Sequence, residues 1–115
     1  MAVATAFFSC THKAYEKPLP ATVSFSNDIE PVFTSDCNGS GCHSTAYHAA
    51  NLDLTPDSAY IQLFRKKDID TTNPSQSTLY LQMASVGTPM PPTGKLDDYY
   101  VNLVLKWIQQ GAKNN

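Results

Sequence analysis

The chain has 115 residues, a formal net charge of −2 and a pI near 5.8. That is length for one domain with a modest core, and the charge supplies none of the basic field on which nucleic-acid affinity rests. Mean hydropathy is −0.29 and no apolar run approaches the roughly 20 residues of a membrane-spanning helix, while five glycines and eight prolines predict a few short helices joined by long loops.

At the N-terminus an apolar run ends in Phe7-Phe8-Ser9-Cys10. A small residue followed by a cysteine is the pattern of a bacterial lipoprotein signal, and it makes Cys10 a candidate for acylation. The match is imperfect: no leucine precedes the cysteine at the usual place, and no Lys or Arg precedes the run. The plain alternative is a frayed terminus with one spare cysteine. Residues 11–24 show neither helical nor strand period, and Pro18 and Pro20 stiffen them into a tether. The predicted organisation is therefore a signal-like or tethering segment over 1–24 and one domain over 25–115.

The domain reads as all-α. Ser26 is a predicted N-cap, with Asp28 and Glu30 near the positive end of the helix dipole. Ile29, Val32 and Phe33 fall on one face of a helix over about 27–35. Thr55-Pro56 predicts a helix start for about 57–65, with Ala59, Tyr60, Leu63 and Phe64 on the buried side. After the break at Asn73-Pro74, residues 77–83 read as another short helix. Residues 86–94 carry too many prolines and glycines for regular structure. The clearest helix spans about 97–110, with Tyr100, Leu103, Val104, Trp107 and Ile108 as its apolar stripe and Gly111 as its stop.

Chemistry concentrates at Cys37-Asn38-Gly39-Ser40-Gly41-Cys42-His43. Two cysteines followed at once by a histidine is the pattern of covalent haem capture, in which thiols become thioethers and the imidazole ligates iron. The usual gap between the thiols is two residues, and here it is four. Two rivals stand beside this reading. A disulfide between Cys37 and Cys42 leaves His43 unexplained. A zinc site of Cys37, Cys42, His43 and His48 demands that adjacent residues reach one tetrahedral ion and draws all four ligands from one short segment.

A haem iron held by His43 needs a second ligand or an open face. His48 lies too close in sequence to His43 and reads as a surface histidine, and Met83 sits in a predicted helix as core filler. His12 belongs to the tether. Met90 is different, because Pro89, Pro91 and Pro92 brace its loop and lower the entropy lost in holding a soft thioether in place.

The blocks Asp28-Ile29-Glu30-Pro31-Val32-Phe33, Cys37 to His43, Met90-Pro91-Pro92 and Trp107-Ile108-Gln109-Gln110-Gly111-Ala112 occur in that order. In this order the chain resembles a small single-haem, class I-like cytochrome c, in particular a bacterial envelope subgroup with Met-Pro-Pro before a closing Trp-Ile-x-x-Gly-Ala. The resemblance implies a cytochrome c-like fold, with N- and C-terminal helices crossing and short helices and loops around one haem. It implies one covalently attached haem c, thioethers at Cys37 and Cys42, His43 and Met90 as axial iron ligands, and Arg65, Lys66 and Tyr47 as candidates near the propionates.

The function it implies is that of an electron carrier rather than an enzyme, located in the periplasm or cell envelope. Its partners would be a quinol-oxidising complex, a terminal oxidase or a dedicated reductase or dehydrogenase, with no nucleic acid and with membrane contact only through a lipid on Cys10. The alternative is a haem subunit or peroxidase-like domain in which Met90 dissociates.

Overall fold

A computed structural model describes residues 17–39 and 41–115; Cys10 and His12 lie outside the described residues. The fold is all-α: four α-helices and shorter helical turns follow one another, with no strand among the described residues. The helices are α1 (Glu30–Asp36), α2 (Ala59–Arg65), α3 (Thr78–Ala84) and α4 (Asp98–Gln109).

The entry to α1 is wider than its sequence predicts. Phe25–Ile29 form a π-turn that runs directly into the helix. The cap is Ser24 rather than Ser26: its Oγ accepts from the Asn27 N–H at 3.1 Å, while its own N–H donates to Asp28 Oδ2 at 2.7 Å. The two bonds satisfy donors at the helix entrance reciprocally, as in a capping box. The extra residue of the π-turn shifts the cap upstream and brings both Phe25 and Ile29 into the core.

The expected face Ile29, Val32 and Phe33 is buried. It meets α4, whose Val101, Leu103, Val104, Trp107 and Ile108 are also buried. Phe25 and Trp107 stack with ring centroids 5.2 Å apart, and Tyr60 of α2 meets Phe25 edge-on at 5.3 Å. Full burial of such a side chain is worth about 1.5–3 kcal/mol, so this aromatic group joins the first and last helical segments as a principal part of the core. Val23 already belongs to that core, ahead of the first helical turn.

Two apolar residues take different places from those expected. Tyr100 is 41% exposed and its stripe position is filled by Val101. Both residues stand at helical spacing from Val104, and the tyrosine hydroxyl favours the watered side. Phe64 is 39% exposed and leans on the Tyr60 ring at 4.8 Å, while Ala59 and Leu63 turn inward. Thr55 does not cap α2, because its Oγ1 donates to Asp53 Oδ1 at 2.7 Å, and the helix starts only at Ala59.

The termination of α4 follows the predicted rule. Gly111 has φ of +98°, its N–H donates to Ile108 O at 3.0 Å, and the Ala112 N–H donates to Trp107 O at 2.9 Å. This is a Schellman closure, which only a residue tolerant of left-handed backbone permits without strain. Among the described residues no helix is long and apolar enough to cross a membrane.

Candidate functional site

Cys37 closes α1 as its C-cap, with its N–H bonded to Phe33 O at 2.9 Å. The chain then doubles back. The Cys42 N–H donates to Gly39 O and the His43 N–H donates to Cys37 O, both at 3.0 Å. The long gap between the cysteines is therefore taken up in a closed loop, and His43 returns beside the start of the motif. Gly41 sits at φ +76° and supplies a turn that an L side chain resists.

His43 is half-buried, and its Nδ1 lies 2.9 Å from Ala49 O and 3.3 Å from Leu52 O. A carbonyl can only accept, so Nδ1 carries the proton and donates. In the neutral ring the lone pair then belongs to Nε2. Two backbone carbonyls thus select the tautomer that a metal-ligating histidine requires and hold the ring's orientation.

The carbonyls reach the ring through an unusual backbone. His48, Ala50 and Asn51 have φ of 24°, 54° and 57°. Left-handed backbone costs an L residue roughly 1–2 kcal/mol, Asn less than Ala. The Ala49 N–H donates to Cys42 O at 3.0 Å and the Leu54 N–H to His43 O at 2.8 Å, so this segment wraps the motif loop closely. Lys66, at the end of α2, donates from Nζ to Ala50 O at 2.8 Å. That is where the structure places one of the candidates for a propionate; Arg65 and Tyr47 are exposed.

The Cys37 thiol sits in a protected environment. Burial pushes the Cys37 thiol up to about 12, and the nearby Asp36 and Cys42 add to the effect. No disulfide joins Cys37 and Cys42. Asp68 is also raised by burial, an effect that Lys66 and His43 partly offset. The acid therefore senses both the imidazole and the clamp on its loop.

Among the described residues no three His, Cys, Asp or Glu side chains gather to hold a metal ion. His48 is exposed and its Nδ1 faces Thr45 O at 3.1 Å, so the four-ligand zinc arrangement is not assembled. Met83 is buried core. Met90 lies on the loop after α3, 38% exposed, following a turn in which its own N–H donates to Gln82 O at 2.8 Å. The Met90–Pro91 peptide is cis. The hydrogen bond from the Met90 N–H to Gln82 O anchors Met90 to α3 and not to the loop that holds Cys37, Cys42 and His43.

The residues present suit a covalently held haem: two thiols and a tautomer-fixed imidazole on one closed loop, with an accessible thioether on another. What sequence reasoning missed is the supporting set of the Ala49 and Leu52 carbonyls and Lys66. Alanine in left-handed backbone leaves no signal in the sequence. Compared with protein-family models, curated proteins and solved structures, the chain matches none.

Proposed function

We propose that this chain is a single-haem c-type cytochrome that carries one electron between redox partners in the bacterial cell envelope. The observation that carries the reading is the donation of His43 Nδ1–H to Ala49 O and Leu52 O. A histidine so fixed, one residue after a cysteine, is prepared to ligate through its other nitrogen. When bound, haem supplies the one-electron couple of its iron. Cys37 and Cys42 would hold it as thioethers, with His43 and Met90 as axial ligands. The packing of Phe25 on Trp107 supports the finer fold reading, a cytochrome c-like arrangement with crossing terminal helices.

With both His43 and Met90 as ligands the group would have no place for oxygen or peroxide, which would favour outer-sphere transfer over catalysis. The partners are a quinol-oxidising complex, a terminal oxidase or a dedicated reductase or dehydrogenase. Acylation of Cys10 would keep the domain at a membrane surface. The test is the intact mass of protein matured in an envelope with haem-attachment machinery. A haem adduct lost in the Cys37→Ser, Cys42→Ser double variant is expected, with a diacylglyceryl mass on Cys10; an unmodified wild-type mass overturns the haem assignment.

The exposure of Met90 favours a second reading, a peroxidase-like domain or haem subunit in which the methionine leaves the iron. Rapid cyanide or carbon monoxide binding by the untreated protein would select this reading over simple electron carriage.

A further inference from the structure

The loop that orients His43 is under strain and is fastened from outside. His48, Ala50 and Asn51 all take positive φ within four positions, and conformations of this kind persist only where surrounding contacts impose them. Two of those contacts are backbone bonds, Ala49 N–H to Cys42 O at 3.0 Å and Leu52 N–H to Ala49 O at 3.2 Å. Another comes from the end of a separate helix: Lys66 Nζ donates to Ala50 O at 2.8 Å. The Ala50 carbonyl stands in sequence between the two carbonyls that receive the His43 Nδ1–H, those of Ala49 and Leu52. Holding Ala50 restrains the turn that carries both acceptors.

We propose that Lys66 is a positioning residue for His43: its ammonium pins the left-handed 48–51 turn, and through that turn sets the tautomer and donor strength of the imidazole. The bond is charge-assisted, which makes it stronger than a neutral one. Its neighbour Lys67 is also an exposed cation and serves as an internal control. The inference rests on the haem reading only where a reduction potential is the readout. Donation from Nδ1 makes the opposite nitrogen a more basic ligand, and a more basic ligand favours the oxidised iron. Loss of the clamp should therefore raise the potential.

The experiment uses the full-length protein, matured as above and reduced, with solvent exchange of the His43 Nδ1–H followed by 15N-edited NMR. Lys66→Met is expected to speed that exchange severalfold. Lys66→Arg, which keeps a cationic donor, is expected to restore it, and Lys67→Met to leave it unchanged. In haem-bearing protein the potential of Lys66→Met should lie above that of Lys67→Met, which removes the same charge without touching the clamp, by up to the 59 mV of a tenfold shift in a one-electron equilibrium. Unchanged exchange in Lys66→Met overturns the proposal, as does an equal change in Lys67→Met. A chain without a haem adduct would sink the cytochrome reading, while the exchange measurement still decides the role of Lys66.

Discussion

Gln110 pairs with Val23 as a neighbouring β-strand would: its Oε1 accepts from the Val23 N–H at 2.9 Å, and its Nε2 donates to Ala21 O at 2.8 Å. Asn115 repeats the arrangement one step along, accepting from the Phe25 N–H at 2.8 Å and donating to Val23 O at 3.2 Å. Two amide side chains thereby satisfy the backbone of an extended segment that has no sheet to join. Gln110→Ala is expected to destabilise the domain by about 1–3 kcal/mol, because it orphans the backbone N–H of the buried Val23. Gln110→Glu should cost less, since it keeps the acceptor for Val23. Urea unfolding of the two variants measures the difference.

Met90→Ala separates ligation from folding. The side chain is partly exposed and tied to α3 through its backbone, so unfolding free energy should change by less than about 1 kcal/mol. In haem-loaded protein the same substitution should abolish the far-red sulfur-to-iron charge-transfer band. Survival of that band would reassign the distal ligand.

The Cys37 thiol gives the haem-free chain an alkaline weakness. Its folded value of about 12 lies above the ordinary 9.0, so the folded state holds the proton more tightly than the unfolded state. The associated stability is complete below the ordinary thiol range and is lost as pH rises from there toward the folded value. Thermal melts of haem-free protein should fall through that window. Cys37→Ala should flatten the fall, and alkylation of native Cys37 should be slow compared with denatured chain.

Asp53 acts with the opposite sign. Burial pushes its carboxyl up, but the Thr55 N–H and hydroxyl at 3.0 and 2.7 Å, the Thr45 hydroxyl at 2.9 Å and Ser58 together hold it below 3.8. Its contribution is present above the ordinary carboxylate value and is lost as pH falls through the lowered one. Asp53→Asn should lower stability near neutrality and reduce the acid sensitivity of the segment leading into α2. Chemical denaturation at neutral and acid pH checks both.

The all-α class and the ends of α4 could be read from the sequence because local rules governed them. Asp97 caps the helix by accepting from the Tyr99 N–H at 2.9 Å, and Gly111 ends it. The period of Ile29, Val32 and Phe33 likewise named a true core face. Where two registers satisfied the same spacing, as with Tyr100 and Val101, only tertiary contact could choose. The Ser24 cap escaped notice because a π-turn has no distinctive composition. At the site, the motif was visible as residue types and its supports were not. The hydrogen bond from His43 to Ala49 belongs to a main-chain carbonyl, and main-chain carbonyls are the same at every residue.

The fully buried Trp107 is the chain's only tryptophan, and its Nε1 donates to Lys113 O at 2.9 Å. Its fluorescence therefore comes from one place, inside the aromatic core that fastens the last helix to the first. A porphyrin attached within the same small domain would absorb that emission by energy transfer, and separation of the helices would release it. The protein carries its own optical gauge, able to follow cofactor attachment and core opening without a label.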